Sequence, residues 1–438
     1  MAQYRKDTHQ YLADGKTIYE VVMLADQYGN LVGPANPSGM SVDAFGRARA
    51  SEPVTLFDSF HRFGDNGKSS TANSATATYS FNANTSSINA TVDTTSGAYV
   101  YRESNRVFAY QPGKSLQILT TFVMNPAKAN LRQRIGYFDE ENGFFLERTG
   151  ATTVQFVKRS KVTGAVVDTP ALQADWNIDK LDGTGPSLLT LNLDNPQILF
   201  TDIEWLGVGS VRMGFVINGQ FIHCHTFHHA NLSTSPKGAY IQTACLPIRF
   251  EIENTGTTAT SSTYKQVCST VISEGGYELR GQPRTHYIPV TSSYRLTTNG
   301  TYYPVLSYQL HPDRLNSIVI PKDISLQPIN NGNYHYKLIF NPTITGAVWA
   351  NTHTSNSSLQ YNTNTSATVS GGTDLKSGFI ASTTQATSFV TLDSDFFKYQ
   401  FERNGLANTA FPLVLAVSCD AATSNVLAAF SWEEVTAG

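Results

Sequence analysis

Residues 210–227 read SVRMGFVINGQFIHCHTF. Asn218-Gly219 lies between two runs that alternate apolar residues with others. That dipeptide most readily adopts the two positive φ angles of a tight hairpin turn. Alternate side chains of a strand share a face. The incoming arm therefore places Val211, Met213, Phe215 and Ile217 together. The outgoing arm places Phe221, His223, His225 and Phe227 on one face, with Ile222, Cys224, Thr226 and His228 on the other. The stretch predicts an antiparallel hairpin, and with it a β environment for the chain around it.

The flanking sequence repeats the pattern. SLQILTTFVM (115–124), QRIGYFD (133–139), GFFLERTG (143–150), TTVQFVKRS (152–160) and PIRFEIEN (247–254) read as short strands separated by turn signals such as EENG (140–143). Regularly spaced short strands are the mark of a sandwich. The Ser/Thr/Asn/Ala-rich stretch 66–97 keeps enough alternation for edge strands. GVGSVRMG (207–214) contains Gly-x-Gly but leads into a strand, so it reads as a turn. Beyond RGQPRTHYIPV (280–290), further strands are predicted at VLSYQLH, SIVIPKDISLQ, YHYKLIFN, AVWA, SFVTL, LVLAVSC and NVLAAFSW, with a single helical turn in DFFKYQFE (395–402). TIYEVVMLAD (17–26) reads as one strand, followed by the turn QYGN and a Gly/Pro-rich linker. The expected architecture is all-β: an N-terminal anchoring arm or adaptor over 1–55, a β-sandwich over 56–285 and a second β-sandwich over 286–438.

Composition narrows the function. Of 438 residues 40% are hydrophobic, enough for real cores, and only 15% are charged, with a net charge of -3. No block of Lys and Arg offers the electrostatic footprint of a nucleic-acid partner. No apolar run approaches the length of a membrane span, and the polar start MAQYRKDTHQYLADGK lacks the apolar core of a signal peptide. A soluble protein with reduced thiols at Cys224, Cys245, Cys268 and Cys419 is expected, with the sequons at Asn84, Asn89 and Asn231 as by-products of composition.

Two constellations invite a chemical reading. FIHCHTFHHA (221–230) offers His223, His225 and His229 as metal ligands, two of them on one predicted strand face. A zinc site needs a third or fourth converging group, and His286, His311 and His335 are isolated in sequence. The alternative is a strand and its exit loop, with imidazoles satisfied by hydrogen bonds or at an interface. The pairs Glu251/Glu253 and Asp202/Glu204 each share a strand face, the geometry a glycosidase would use. Their alternative is a solvent-facing strand side paired to Arg or Lys. No nucleophile elbow, P-loop or dinucleotide fingerprint occurs. The reading is of a non-enzyme with no cofactor and no catalytic residue. The 21 Tyr and 24 Phe supply cores, subunit interfaces or sugar-stacking surfaces.

Several long stretches, taken in order, resemble structural proteins of tailed-bacteriophage virions, notably of cyanophages and other marine phages. They are ESNRVFAYQPGKSL (103–116), DKLDGTGPSLLTLN (179–192), ILFTDIEWLGVGSVRMGFVINGQFIHCHTFHHAN (198–231) and STYKQVCSTVISEGGYELRG (262–281). YRKDTHQYL with EVVMLAD resembles the start of such proteins, and LHPDRLNSIVIPKDI and FSWEEV continue the likeness more weakly. Residues 211–222 also resemble a hairpin of concanavalin/laminin-G-like jelly rolls, which makes the first sandwich a jelly roll. The resemblance implies a virion component, assembled in the host cytoplasm, at the tail, baseplate or fibre. Its partners would be other virion proteins, copies of itself in a homo-oligomer such as a trimer, and host surface glycans, with no nucleic acid and no membrane insertion. Capsid decoration or a head fibre is the alternative within that class. A carbohydrate-binding or glycan-degrading sandwich is the alternative outside it.

Overall fold

The computed structural model describes residues 52–232, 237–278, 281–353, 357–382 and 399–435, with the backbone of short strands at 9–11, 18–20, 24–25, 31–32 and 388–391. The strand expected over 17–26 is described as Ile18–Glu20 and Leu24–Ala25. The turn at 27–30 and most of the linker after it lie outside the described residues. So do residues 395–398 of the expected helical turn, and residues 399–402 are not helical.

The architecture is all-β, built from two sandwiches, each of two facing sheets around its own apolar core. One of its sheets runs in the order Gln220–Phe227, Ser210–Ile217, Gln197–Glu204, Leu116–Val123, Ser262–Ser273, Ser87–Val92, Ala77–Asn82, with Val54–Phe60 also paired to Ser262–Ser273. The facing sheet runs Val167–Leu172, Thr153–Ser160, Gly143–Thr149, Leu131–Phe138, Ile248–Asn254, Tyr99–Ser104, Ser69–Asn73. The Ser/Thr/Asn/Ala-rich stretch does form edge strands, Ser69–Asn73 and Ala77–Asn82, one on each sheet. Between the sheets lies an apolar core that includes Ile118, Phe122, Ile135, Phe144, Phe156, Trp176, Met213 and Phe215. Phe156 and Trp176 stack at 4.3 Å between ring centroids. Burial of this alternating apolar face is the main favourable contribution to the unit.

The second sandwich has its own core around Leu306, Tyr308, Leu338, Leu415, Phe430 and Trp432. One sheet runs Gln282–Tyr287, Ser424–Glu434, Val319–Pro328, Ser388–Thr391, and the other Ala350–Asn351, Leu359–Asn362, Tyr303–Leu310, Leu413–Cys419, Gly332–Phe340, Thr373–Ser382. The strand predicted at AVWA shrinks to Ala350–Asn351. The ten-residue Thr373–Ser382 was not evident from sequence because TDLKSGFIAS has little apolar alternation and lies at a sheet edge.

The Asn218-Gly219 turn forms as expected, with φ of 53° and 77°. The face assignment of its second arm does not hold. A bulge shifts the register between Met213 and Gly214, so that Met213 pairs with His225 and Gly214 with His223. Paired residues project to the same side of the sheet. An extra residue inserted at Cys224 therefore turns everything after it to the opposite face. His223 lies on the outer face, whereas His225 and Phe227 turn inward beside Ile222 and Cys224. The predicted His223/His225 pair on one face is thus separated by a single bulge.

Candidate functional site

Each of the three candidate ligand histidines has a hydrogen-bond partner. His223 Nε2 bonds Thr226 Oγ1 at 2.8 Å. His225 Nδ1 accepts the Asn177 backbone N–H at 3.3 Å, with its ring against Phe227. His229 Nδ1 donates to the Gly209 carbonyl at 2.7 Å, and its ring stacks on Tyr240 at 3.6 Å. Burial holds all three pKa values near 4, that is, in the neutral form. The three candidate ligands point to different surroundings. Among the described residues no group of three or more His, Cys, Asp and Glu is placed to hold a metal ion.

The carboxylates are not solvent-facing, contrary to the pattern reading. Glu251, Asp202 and Glu204 are 4%, 3% and 0% exposed. Asp202 pairs with Arg212 at 2.8 Å. Glu204 accepts hydrogen bonds from the Tyr110 hydroxyl at 2.7 Å and from Ser115 at 3.0 Å. Glu253 pairs with Arg132 and accepts from Tyr101, both at 2.6 Å. Burial pushes the Glu253 pKa up, but the hydrogen bonds from Tyr101 and Arg132 outweigh it and leave the value lowered.

Glu251 belongs to a larger arrangement on the outer face of the sheet that contains Tyr99–Ser104, Ile248–Asn254 and Leu131–Phe138. Arg249 lies directly across from Glu103, and Arg134 across from both Glu251 and Glu147. The β register therefore sets opposite charges side by side. The contacts run in sequence: Arg403 to Glu103 at 2.6 Å, Glu103 to Arg249 at 3.1 Å, Arg249 to Glu251 at 2.7 Å, Glu251 to Arg134 at 3.3 Å, Arg134 to Glu147 at 2.5 Å. Each of the six residues is less than 9% exposed. Guanidinium groups roof the apolar rings of this face: Arg134 and Arg159 each sit 5.1 Å from the Phe145 ring centre, and Arg249 5.8 Å from that of Phe138. Gly136 is required here, since a Cβ would run into the backbone of Phe144 and Phe145. A buried network in which each charge finds partners is rigid, and removal of one member leaves an uncompensated charge inside.

Arg403 belongs to the second sandwich and enters the ladder from there. Its Nε donates to Asn316 Oδ1 at 2.8 Å and its backbone N–H to the Asn105 carbonyl at 2.9 Å. Arg106 pairs with Glu402 at 2.7 Å, and Gln400 donates to the Val107 carbonyl at 2.8 Å. An apolar seam of Val107, Ala109, Ile318 and Ile320 lies beside them. The two sandwiches are thereby locked together.

At the end of the ladder the lock leaves a cleft of about 600 Å³. Glu103, Arg249 and the turn Asp139, Glu140, Glu141 form one wall; Asp313, Arg314, Asn316, Arg403 and Asn408 form the other. Burial raises the Glu103 pKa, opposed by Arg403 and Arg249. Burial likewise raises that of Asp139, opposed by the backbone N–H groups of Asn142 and Glu141. The one lining thiol, Cys245, is pushed up by burial and stays protonated, which makes it a poor nucleophile. Both walls carry guanidinium donors and carboxylate acceptors, and the second adds the amides of Asn316 and Asn408, a lining suited to hydrogen-bonding a hydroxyl-rich molecule. Of the ladder residues only Glu251 drew notice in the sequence as a chemical candidate, with its neighbour Glu253, and of the cleft residues only the Cys245 thiol was singled out. The alternating charges of RFEIEN were visible there, but their partners on other strands, and above all Arg403, were not.

No family model matches the chain, and no curated protein matches it. Among solved structures it is similar to the carbohydrate recognition domain of Emp47p, with 9% identity and a TM-score of 0.32, over 51% of this chain and 98% of that one. Peanut lectin gives 12% identity and 0.28 over 51% and 98%. A carbohydrate esterase from the Shiga toxin-encoding bacteriophage phi24B gives 13% and 0.28 over 51% and 99%. Likenesses of this size carry no functional statement; the fold rests on the strand order itself.

Proposed function

We propose that the chain is a non-enzymatic structural protein of a phage particle, associated with the tail, baseplate or fibre. In this reading its two sandwiches act as one rigid block that offers the inter-sandwich cleft to host-surface glycans. The observation that carries the glycan reading is the cleft lining. It holds guanidinium and amide donors beside carboxylate acceptors, and three of them, Glu103, Arg249 and Arg403, are fixed by the buried ladder, so little ordering of these remains for binding to oppose. The same lattice supports the non-enzymatic reading: Glu251, Asp202 and Glu204, drawn from the two candidate acid/base pairs, are engaged by arginines or hydroxyls. The particle role rests on the resemblance of the long stretches between 103 and 281. Sheet-edge strands at Val167–Leu172, Gln220–Phe227 and Thr373–Ser382 favour a homo-oligomer, such as a trimer, that covers them.

The test is immunogold electron microscopy of purified particles with an antibody to residues 286–438, alongside a glycan array probed with the purified chain. Label at the tail or baseplate, and array hits lost in Arg314→Ala and Asn408→Ala, are expected. Label over the head would move the protein to capsid decoration. Particles without the chain, even after denaturation, would overturn the structural role, and array hits indifferent to both substitutions would remove the cleft as the glycan site.

A further inference from the structure

The second sandwich carries an aromatic shelf far in sequence from the cleft residues of the first. On Gly332–Phe340 the inward side chains are Tyr334, Tyr336 and Leu338, which belong to the core. Asn333, His335 and Lys337 face out. His335 pairs in register with Phe379 on the edge strand, and their ring centres lie 4.4 Å apart. On its other side His335 meets Tyr302 edge-on at 5.7 Å, and its Nδ1 is hydrogen-bonded to the Tyr302 hydroxyl. Three rings are thus contiguous on one sheet face, and the outermost, Phe379, is 82% exposed. The far part of the same face is covered: Ile339, Val414 and Ala416 are buried beside Ile344 and Val369 of the small two-stranded sheet Thr343–Thr345/Thr368–Ser370. The shelf is the part left open.

Its rim is polar. Lys337 Nζ pairs with Asp374 at 2.7 Å and lies 4.9 Å from the Tyr302 ring centre. Asn333 Nδ2 donates to Asp420 Oδ2 at 2.6 Å, and Ser377 is exposed two residues from Phe379. A flat apolar ring inside a rim of hydrogen-bonding groups complements a molecule that is apolar on one flat face and hydroxylated around its edge. We propose that the Tyr302–His335–Phe379 shelf is a stacking site for a pyranose, of the type whose equatorial hydroxyls leave a continuous C–H face, as in a β-linked glucan. The ring lies on Phe379, and its hydroxyls reach the Lys337/Asp374 and Asn333/Asp420 pairs. A second copy of the chain fits less well. A stable protein interface buries about 1,200–2,000 Å², whereas one exposed aromatic side chain presents on the order of 150–250 Å². The site is independent of the cleft and would stand if the cleft bound nothing.

The test is calorimetric titration of the full chain with cellotetraose, on the wild type and on Phe379→Ala, Phe379→Trp and Asn408→Ala. Phe379 is exposed, so neither of its substitutions threatens the fold. Weak saturable binding is expected, reduced roughly threefold to tenfold in Phe379→Ala and preserved in Phe379→Trp. No saturable binding, or binding indifferent to Phe379→Ala, overturns the shelf. Loss in Asn408→Ala alone would assign the sugar to the cleft and likewise overturn it. A drop in sedimentation coefficient on Phe379→Ala, without sugar binding in the wild type, would make the shelf a contact between copies instead.

Discussion

Replacement of Arg403 by Met tests whether the two sandwiches are held together by the charge ladder. Met keeps the apolar stem and removes the guanidinium. Arg403 and Glu103 are 3% and 2% exposed, so solvent screens their contact little. The substitution deletes the 2.6 Å pair with Glu103 and the 2.8 Å hydrogen bond to Asn316. Breaking a buried pair costs about 3–5 kcal/mol. Arg249 still faces Glu103 at 3.1 Å, which places the expected loss near the lower end, at about 3 kcal/mol. The loss falls on the junction, because each sandwich keeps its own core. Urea unfolding followed by tryptophan fluorescence and far-UV circular dichroism should therefore change from one transition to two, the earlier one at lower urea. In the double variant with Glu103→Gln, which removes both charges, the two effects should fall short of their sum by about 1–3 kcal/mol. A loss below about 0.5 kcal/mol, the range of ordinary surface substitutions, or an unchanged single transition, would refute the idea that this ladder joins the sandwiches.

Other outcomes follow from the same geometry. Gly405→Ala should disturb the same junction, since its Cβ would run into the Glu103 carboxylate and the Arg403 guanidinium; a thermal melt with an unaltered midpoint would contradict this. His225 is 8% exposed, and burial lowers its pKa from 6.5 to about 4. The unfolded chain thus binds its proton first on acidification, and stability present above pH 6.5 is lost as pH falls through about 4. The share of this one residue is roughly 3 kcal/mol, read as the difference in pH dependence between the wild type and His225→Asn. That comparison separates it from Glu103 and Asp139, whose raised pKa values act in the opposite sense. Gly136→Ala should cost at least about 2 kcal/mol, because the clash is with strand backbone that cannot rotate away. Gly219→Ala, where a Cβ meets open space but φ is 77°, should cost only about 1 kcal/mol in urea unfolding.

The contrast between Gly136 and Gly219 marks what local sequence could and could not tell. The Asn-Gly turn, the strand runs on either side of it and the edge strands of the Ser/Thr-rich stretch were legible because each depends on a few neighbouring residues: turn chemistry and period-two alternation act over short range. The bulge at Cys224 was not. Which residue of QFIHCHTF is left unpaired depends on how the partner strand packs around Phe200 and Gly214, and that one-residue slip parted His223 from His225. The carboxylates followed the same rule. Alternation put Glu251 and Glu253 on one face correctly, but an alternating polar face reads as wet unless the neighbouring strands are known. Here they supply Arg132, Arg134 and the rings of Phe138 and Phe145, and the face is dry. The sequence by itself determined an all-β chain and the hairpin at its centre. Tertiary structure alone decided the ladder, the junction through Arg403 and the cleft, because those depend on pairings between residues as far apart as 103 and 403, which no local pattern encodes.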